Sequence, residues 1–230
     1  MKKCKNCDKE FTPIQRGLRA FCSRWCKREF KLNKPSLTNA LVLSNPKSGL
    51  NWLRHCCERA TGHKTPGITH LYLKGTNLFK RTHHPLNVKH HECKLILILR
   101  NYHSIFVRIE NKSLDNMKRY CNCIIVFDKH VNDKLLIRYE DLIVDFSQAK
   151  RFLDFIGIGH DFSKLDLEEE RKTSLDWYGM RHGSWTKKDV LNTKFYVDKL
   201  AEETKLTIKA RLVEYLGKEL FDKYLKVYDT

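Results

Sequence analysis

Apolar residues are concentrated in short runs that alternate with amphipathic stretches through most of the chain after residue 38. Three runs, at 40–44, 94–100 and 134–140, are rich in Leu, Ile and Val and show no alternation of apolar and polar positions. Uninterrupted runs of this length are typical of strands buried on both faces of a parallel sheet. The pattern therefore predicts three buried strands, at least one of them central.

Helical periodicity occupies the stretches between and after these strands. Apolar residues recur at three- and four-residue spacing over 48–61, 117–131, 146–158 and 202–226. Residues 159–195 are polar and, apart from LDLEEE at 165–170, predict mainly loop. Because strands alternate with helices, the expected fold is α/β, with three layers (α/β/α) and a mostly parallel central sheet.

The first 34 residues differ in composition from the rest, because they are rich in Cys, Lys and Arg and contain few aliphatic residues. The sequence NKPS at 33–36 is typical of a linker. We therefore expect a small N-terminal module over residues 1–34 and a main domain over 35–230.

The N-terminal cysteines form two close pairs. Cys4 and Cys7 are separated by two residues, and Cys22 and Cys26, fourteen residues later, by three. Four thiolates in this arrangement suit the tetrahedral coordination of a structural zinc ion, whose binding energy can fold a segment with little core of its own. The module resembles small treble-clef-type zinc fingers. Four unliganded thiols in a disordered tail are the alternative.

Charge and cysteine count restrict the class of protein. The 230 residues include 44 Lys and Arg against 27 Asp and Glu, so the net charge of +17 favours an anionic partner, either nucleic acid or a phosphorylated small molecule. The chain has nine cysteines, an odd number, and its N-terminus lacks an apolar signal region. Together these features predict a reducing, cytoplasmic location. The longest apolar runs are too short to span a bilayer.

The stretch LVLSNPKSGLNWLR (41–54) has the order strand, tight loop, helix that a phosphate site needs. Backbone N–H groups at a helix N-terminus favour an anion, and Lys47 and Ser48 add a charge and a hydroxyl. Gly49 allows close approach of the backbone. The Walker A pattern is absent, since the Gly follows the Lys-Ser pair. By itself the loop fits an ordinary turn equally well.

This loop resembles the 5′-phosphosulfate loop of the cytosolic-type sulfotransferases, Pro-Lys-Ser-Gly-Thr-x-Trp. Five positions match the pattern, namely Pro46, Lys47, Ser48, Gly49 and Trp52. Leu50 and Asn51 replace residues that are commonly Thr or Ser, and the amide of Asn51 can substitute as a donor. In the family the loop binds the 5′-phosphosulfate, so the resemblance implies that residues 47–52 bind the nucleotide, with Trp52 stacking on adenine or packing as a core aromatic.

A second resemblance concerns the catalytic base. The sequence RTHHP (81–85) resembles the family's Lys-Thr-His-x-Pro, whose His is the base, and this points to His83. Arg81 replaces the usual Lys. His84 is the alternative base. A metal site formed by His84, His90 and His91 is a further alternative, although their spacing matches no recognised ligand pattern.

Three later segments resemble the family's nucleotide site in the expected order. Arg100 and Asn101 match the 3′-phosphate strand and turn. Arg108 stands where the family has Ser, but it is still a candidate ligand because Arg binds phosphate well. Tyr139 belongs to a Tyr-Glu-Asp-Leu segment and would line the nucleotide pocket. The sequence RHGSWTK at 181–187 resembles a shortened version of the element that closes over the 3′-phosphate. Its candidate ligands are Arg181, His182 and Gly183.

The resemblance implies a P-loop-like fold over roughly residues 38–228 and a transferase that uses 3′-phosphoadenosine-5′-phosphosulfate (PAPS). His83 would deprotonate a hydroxyl acceptor (a saccharide, a small molecule or a protein Tyr), and Lys47 would stabilise the leaving phosphate. The alternative is a nucleic-acid-binding protein on a catalytically weak scaffold of this kind. In that case Lys27, Arg28 and Lys31 of the basic finger would contact phosphates.

Overall fold

The structure is a computed structural model of the chain. It describes residues 1–5, 7–12, 20–23, 26–27, 35–67, 71, 73–88, 92–108, 114–182 and 201–229.

Within the described ranges, the main sheet has four strands, all parallel. They are β3 (Ala40–Ser44), β4 (Lys80–Thr82), β5 (Lys94–Leu99) and β6 (Lys134–Arg138). The spatial order is β4-β3-β5-β6, so β3 and β5 are central and β4 and β6 lie at the edges. Leu41 on β3 pairs with Lys80 on one side and Leu95 on the other.

The apolar runs form strands because both faces of the sheet are covered. Leu41 and Leu43 of β3 belong to one buried cluster, and the intervening Val42 belongs to a second cluster on the opposite face. Alternate side chains of a strand point to opposite faces. An uninterrupted run of Leu, Ile and Val therefore supplies both cores at once, as predicted.

The two clusters are completed by helices. The described helices are α1 (Leu50–Thr61), α2 (Tyr102–Arg108), α3 (Leu114–Asp128), α4 (Tyr139–Leu142), α5 (Ser147–Ile156), α6 (Leu167–His182), α7 (Glu202–Leu216) and α8 (Lys218–Tyr224), with 3-10 turns at Pro85–Val88 and Lys226–Tyr228. Residues of α2, α3, α7 and α8 pack on one face of the sheet, and residues of α1, α4 and α5 on the other. This is the three-layer arrangement that the sequence predicts.

Four elements differ from the sequence prediction. Helix α2 was not predicted, and α4 begins at Tyr139, within the stretch 134–140 that was expected to be strand. Strand β4 has only three residues, all polar, and is held by its backbone ladder with β3, so no apolar run marks it. Residues 159–195 were expected to be mainly loop, yet 167–182 form α6. Its N-terminus is stabilised by Asp166, whose side chain accepts a hydrogen bond from the amide of Glu169 at 2.8 Å.

A buried carboxylate attaches α6 to α1. Glu170 accepts a hydrogen bond from His55 at 2.6 Å and two from Arg59, at 2.9 and 2.7 Å. Burial alone would raise the pKa of Glu170, but the Arg59 and His55 bonds lower it below its usual value. Helix prediction normally relies on an apolar stripe that packs on the core. Because these polar contacts attach α6 instead, the apolar pattern of the sequence did not predict it.

The N-terminal residues form a separate small hairpin. Strand β1 (Lys2–Lys3) pairs antiparallel with β2 (Glu10–Phe11), and the turn between them contains Cys4 and Cys7. The boundary expected near residue 34 lies outside the described residues and stays a prediction. No described helix has the length and apolar content needed to cross a lipid bilayer.

Candidate functional site

The carboxyl ends of β3, β4, β5 and β6 meet at one edge of the sheet, because parallel strands all end in the same direction. In open α/β sheets this edge is where ligands bind. The segments that follow β3, β4, β5 and β6 contain Lys47, His83, Arg100 and Tyr139, and Tyr139 is the first residue of α4. The structure therefore brings together the central residues of the predicted site from four separate parts of the sequence.

The loop after β3 is a tight turn that leads directly into α1. The carbonyl of Asn45 accepts hydrogen bonds from the Ser48 amide at 3.2 Å and from the Ser48 hydroxyl at 2.7 Å. Lys47 has a φ of 72° and Gly49 a φ of 94°, both in the left-handed region. A non-glycine residue in this region is strained, and such strain is concentrated at functional sites.

Gly49 is required by a close approach as well as by its backbone angle. A Cβ atom at this position would lie 2.0 Å from Cδ2 of Tyr139, so the ring packs directly against the loop backbone. The first amides of α1, those of Leu50 and Asn51, have no acceptor within the helix. The loop thus offers N–H groups at a helix N-terminus, which is the donor set that an anion needs.

Arg100 and Tyr139 form the wall beside the loop. The Arg100 guanidinium carbon lies 3.9 Å from the centre of the Tyr139 ring, and its Nη1 donates to the carbonyl of Lys47 at 3.2 Å. Arg100 is buried at the end of β5. Its charge therefore lies beside the loop at the carboxyl edge of the sheet, where a phosphate group of a bound nucleotide would meet it.

Glu140 supports this wall rather than facing a ligand. Its carboxylate accepts one hydrogen bond from the amide of Asn101 at 2.9 Å and another from the hydroxyl of Tyr228 at 3.0 Å. It thus connects the ends of β5 and β6 with the C-terminal 3-10 turn. These contacts give Glu140 a structural role at this edge of the sheet.

His83 is fixed in one tautomer by the neighbouring strand. Its Nδ1 lies 2.7 Å from the carbonyl oxygen of Ser44 at the end of β3. Nδ1 also lies 3.2 Å from the Ser44 hydroxyl oxygen, but the carbonyl is nearer and can only accept, so the proton is assigned to Nδ1 and Nε2 is left as the basic nitrogen. Burial lowers the pKa of His83, and the positive charges of Arg81 and Arg119 lower it further, against the opposing effect of the Ser44 hydrogen bond. The imidazole is therefore neutral and able to accept a proton near pH 7.

The three residues that follow Gly49 have different surroundings. Leu50 is buried in the core. The side-chain oxygen of Asn51 accepts a hydrogen bond from Arg54 at 3.2 Å, which leaves the amide group of Asn51 as the donor end. The indole N–H of Trp52 donates to the carbonyl of Leu142 at 3.0 Å.

Trp52 has the contacts of a core aromatic. It is 9% exposed, and its ring stacks on His55 with the centres 5.4 Å apart. These contacts favour the packing interpretation that the sequence left open. Stacking of Trp52 on adenine stays a prediction.

Four predicted nucleotide ligands fall partly or wholly outside what the structure describes. Arg108 is the last residue of α2, and Arg181 and His182 are the last two of α6, but their side chains lie outside the described part. Gly183 is outside it altogether. Their roles stay predictions. Of the alternative histidine metal site, His90 and His91 are likewise outside it.

The four N-terminal cysteines converge in space. Their Sγ atoms all lie within 4.8 Å of one another, with Cys22 3.4 Å from Cys26 and 3.6 Å from Cys7. A tetrahedral zinc ion with Zn–S bonds of about 2.3 Å holds its sulfur atoms about 3.8 Å apart. The four thiols, including the buried Cys4, thus have the spacing of a closed tetrahedral site.

Two functional features were missed in the sequence. Ser44 orients His83 chiefly through its backbone carbonyl, with its hydroxyl 3.2 Å from the same ring nitrogen, and no sequence pattern reveals a backbone contact of that kind. Arg119 approaches His83 from α3, a helix recognised only by its apolar spacing. Since polar positions of a helix are usually solvent-exposed, nothing in the sequence separates Arg119 from its neighbours.

Comparisons with known proteins identify the fold. No protein-family model matches the chain, and no curated protein sequence matches it. A crystal structure of mouse sulfotransferase SULT7A1 complexed with PAP resembles it with a TM-score of 0.54 at 19% sequence identity. The alignment covers 87% of this chain and 92% of that chain. The predicted resemblance is confirmed at the level of architecture: the chain has the fold of the cytosolic-type sulfotransferases, preceded by an N-terminal cluster of four cysteines.

Proposed function

We propose that the protein is a sulfotransferase that moves a sulfuryl group from PAPS to a hydroxyl acceptor. The observation that carries this proposal is the geometry of His83. Its Nδ1 is bound to Ser44, the residue that ends β3 just before the anion-binding loop, so the basic Nε2 belongs to the same edge of the sheet as that loop. A fold shared with a PAP-bound sulfotransferase supports PAPS as donor.

The nucleotide would be bound by the loop and the wall beside it. The amides at the start of α1, together with Lys47 and Ser48, suit the 5′-phosphosulfate. Arg100, on the strand whose motif resembles the 3′-phosphate site, suits the 3′-phosphate, and Tyr139 would line the pocket between them. Arg108, Arg181, His182 and Gly183 are proposed as further ligands on the resemblance of their motifs alone.

The transfer step requires a base and a stabilised leaving group. The acceptor oxygen forms a bond to sulfur while the bond between sulfur and the 5′-phosphate oxygen breaks. The hydroxyl proton passes to Nε2 of His83, and the ammonium group of Lys47 would stabilise the charge on the departing phosphate. Phosphoryl transfer makes the same demand for positioned cations.

Transfer of labelled sulfate from PAPS tests this proposal. The protein would be incubated with the donor and a panel of saccharides, phenols and Tyr-containing peptides, because the acceptor is not identified by the site. We expect acceptor-dependent release of PAP for at least one class. A chain that binds PAP but transfers to none of these classes would contradict the proposed activity.

The pKa of His83 predicts the pH dependence of transfer. Because this pKa is lowered, kcat/KM should rise with pH below the ordinary imidazole value of about 6.5 and be level above it. Bound PAPS brings negative charge near the ring and raises that pKa, so the rise of kcat with pH should occur at a higher pH than the rise of kcat/KM. Steady-state rates from pH 4.5 to 8 at constant ionic strength measure the pH at which each of the two kinetic constants rises. A rise of kcat/KM centred well above pH 7 would contradict the assignment of His83 as the base.

The loop conformation predicts the effect of a single methyl group. Gly49→Ala places a Cβ into the Tyr139 ring at a φ of 94°, and we expect PAP affinity to fall by about 5- to 150-fold, since strain of this kind costs about 1–3 kcal/mol. The matched control is Gly62→Ala, which has a φ of 67° but no atom within 4 Å of the new Cβ. Calorimetric titration with PAP compares the two, and equal affinities would contradict the proposed cradle.

We further propose that Cys4, Cys7, Cys22 and Cys26 bind a structural zinc ion. The spacing of the four sulfur atoms supports this, and four protein ligands leave no open position for substrate. Thiolate ligands require a reducing environment, and all nine cysteines are free, in keeping with a cytoplasmic location.

Nucleic-acid binding through the finger is a second candidate function. Lys2, Lys3, Lys5 and Lys9 are all exposed around the cysteine cluster, and the net charge is +17. Lys27 is half-exposed, while Arg28 and Lys31 lie outside the described residues. Binding of this kind weakens steeply with salt. Binding would be measured with single- and double-stranded oligonucleotides at 50 and 200 mM salt. If no binding is detected, or if the affinity is the same at both salt concentrations, this candidate function is excluded.

A further inference from the structure

Arg54 is a buried cation on the helix that begins at the phosphate loop. It lies on α1, three residues after Asn51, and is 3% exposed. Its guanidinium packs against the backbone of Gly67, because a Cβ added at Gly67 would lie 3.3 Å from Nη2 of Arg54. Removing a charge from water is costly, so a buried guanidinium needs polar partners that fix it in place.

A buried network holds this guanidinium in one orientation. Nε of Arg54 donates to the hydroxyl of Thr65 at 2.9 Å, and that hydroxyl donates to the carboxylate of Glu58. The same carboxylate lies 3.6 Å from Nη2 of Arg54. Thr65 and Glu58 are themselves buried. Because the members of this network are buried and bonded to one another, the guanidinium has little freedom to rotate.

Nη1 of Arg54 reaches back to the start of the helix, next to the phosphate loop. It donates at 3.2 Å to Oδ1 of Asn51, the second residue of α1. A guanidinium has only donors, so the oxygen of the Asn51 amide is assigned to the Arg54 side and its NH2 group to the opposite side. No residue in the described part of the chain accepts a hydrogen bond from this NH2 group. The side chain of Asn51 is only half-buried, so the NH2 group can donate to a ligand at the loop.

We propose that Arg54 is a positioning residue for the nucleotide: it orients the Asn51 amide so that the NH2 group donates to the 5′-phosphate. The proposal rests on the proposed function, since it takes this loop as the 5′-phosphosulfate site. The sulfotransferase pattern commonly has Thr or Ser here, and a hydroxyl can rotate to donate. An amide has one accepting and one donating end, so it suits an anion only when it is oriented. Orientation by Arg54 before binding lowers the entropic cost of binding.

Two nucleotides that differ in the 5′-phosphate test the proposal. PAP carries this phosphate and adenosine 3′-phosphate lacks it, and calorimetric titration of the full chain measures the affinity of each. Arg54→Lys keeps a positive charge beside Glu58 but loses the planar fork that binds Thr65 and Asn51 at once. We expect this variant to lower the affinity for PAP about 3- to 10-fold and to change that for adenosine 3′-phosphate by less than about twofold.

A double-mutant cycle shows whether Arg54 acts through Asn51. Asn51→Thr supplies a hydroxyl, which needs no fixed orientation in order to donate, so this variant should still bind PAP. In the Asn51→Thr background, Arg54→Lys should no longer lower the affinity for PAP, because the amide that Arg54 orients is absent. A purely structural role of Arg54 would instead give the same loss in both backgrounds.

Arg59→Lys is the matched control. Arg59 lies on the same helix, but it donates to Glu170 of α6 at 2.7 Å and has no part in the Arg54 network. Its replacement should lower the melting temperature without changing the ratio of the affinities for PAP and adenosine 3′-phosphate. Melting temperatures verify that each variant is folded. If Arg54→Lys is not folded, Thr65→Val replaces it, because this change removes the bond to Nε at nearly constant volume and should lower the same ratio.

The outcomes separate this inference from the proposed function. An equal loss for the two nucleotides, no loss for either, or the same loss of PAP affinity in the Asn51→Thr background would overturn the inference. If the wild-type chain prefers PAP and the Arg54 variant keeps that preference in full, the nucleotide site stands and only the role of Arg54 fails. If the wild-type chain binds neither nucleotide, the proposed function fails and the inference fails with it.

Discussion

His83→Ala should reduce sulfate transfer by about 100- to 10,000-fold, which is the usual contribution of a positioned general base. The reduction should appear in kcat, because the hydroxyl proton then has no acceptor within the site. PAP affinity should change little, since the imidazole is bound to Ser44 and is not part of the phosphate loop. Single-turnover transfer and calorimetric titration with PAP measure the two effects separately.

His84→Ala is the matched control and also the test of the alternative base. The backbone amide of His84 is bound by the hydroxyl of Thr82 at 3.0 Å, so its position in the chain does not depend on the imidazole. We expect most of the activity to remain in this variant. Retained transfer in His83→Ala together with lost transfer in His84→Ala would reassign the base.

Removal of the metal should unfold the N-terminal module. Structural zinc sites contribute about 10–16 kcal/mol of apparent binding free energy in finger-sized segments, and the described hairpin has almost no apolar core of its own. We expect one zinc ion per chain by elemental analysis, released by chelation or by Cys7→Ser. Limited proteolysis should then cleave the first 34 residues while PAP still protects the remainder.

Cys93→Ser is the matched control for the zinc prediction. Cys93 is a buried thiol of the main core and lies outside the cluster. Its replacement should lower the melting temperature without changing the zinc content. A native protein without zinc, or zinc content unchanged in Cys7→Ser, would show that the four thiols are not a metal site.

The fold was predictable where apolar burial determines it. β3, β5 and β6 follow from their uninterrupted apolar runs, since each strand is covered on both faces. A glycine within the helical stretch 202–226 likewise predicts a break, and in the structure Gly217, with a φ of 76°, separates α7 from α8. Where polar contacts hold an element, prediction failed: β4 is a polar edge strand, and α6 is attached by Glu170.

The sequence predicts which residues form the candidate site, but not how these residues are arranged in space. The order of the motifs identifies Lys47, His83, Arg100 and Tyr139, and the structure brings these residues to one edge of the sheet. The tautomer of His83 depends on a backbone carbonyl, which no pattern of side chains encodes. The position of Arg119 depends on how α3 is rotated on the sheet, which sequence periodicity specifies only for apolar positions.

Binding of PAP tests the central claim most directly, because it requires the loop, the wall and the fold to be correct at once. At a concentration of about 100 times Kd, a ligand of the native state adds about 2.7 kcal/mol to the free energy of unfolding, which corresponds to a rise in melting temperature on the order of 5 to 10 °C. We predict such a rise for 1 mM PAP and a smaller one for 5′-AMP, which lacks the 3′-phosphate that Arg100 would bind. No rise at 1 mM PAP, or an equal rise with both nucleotides, would contradict the account.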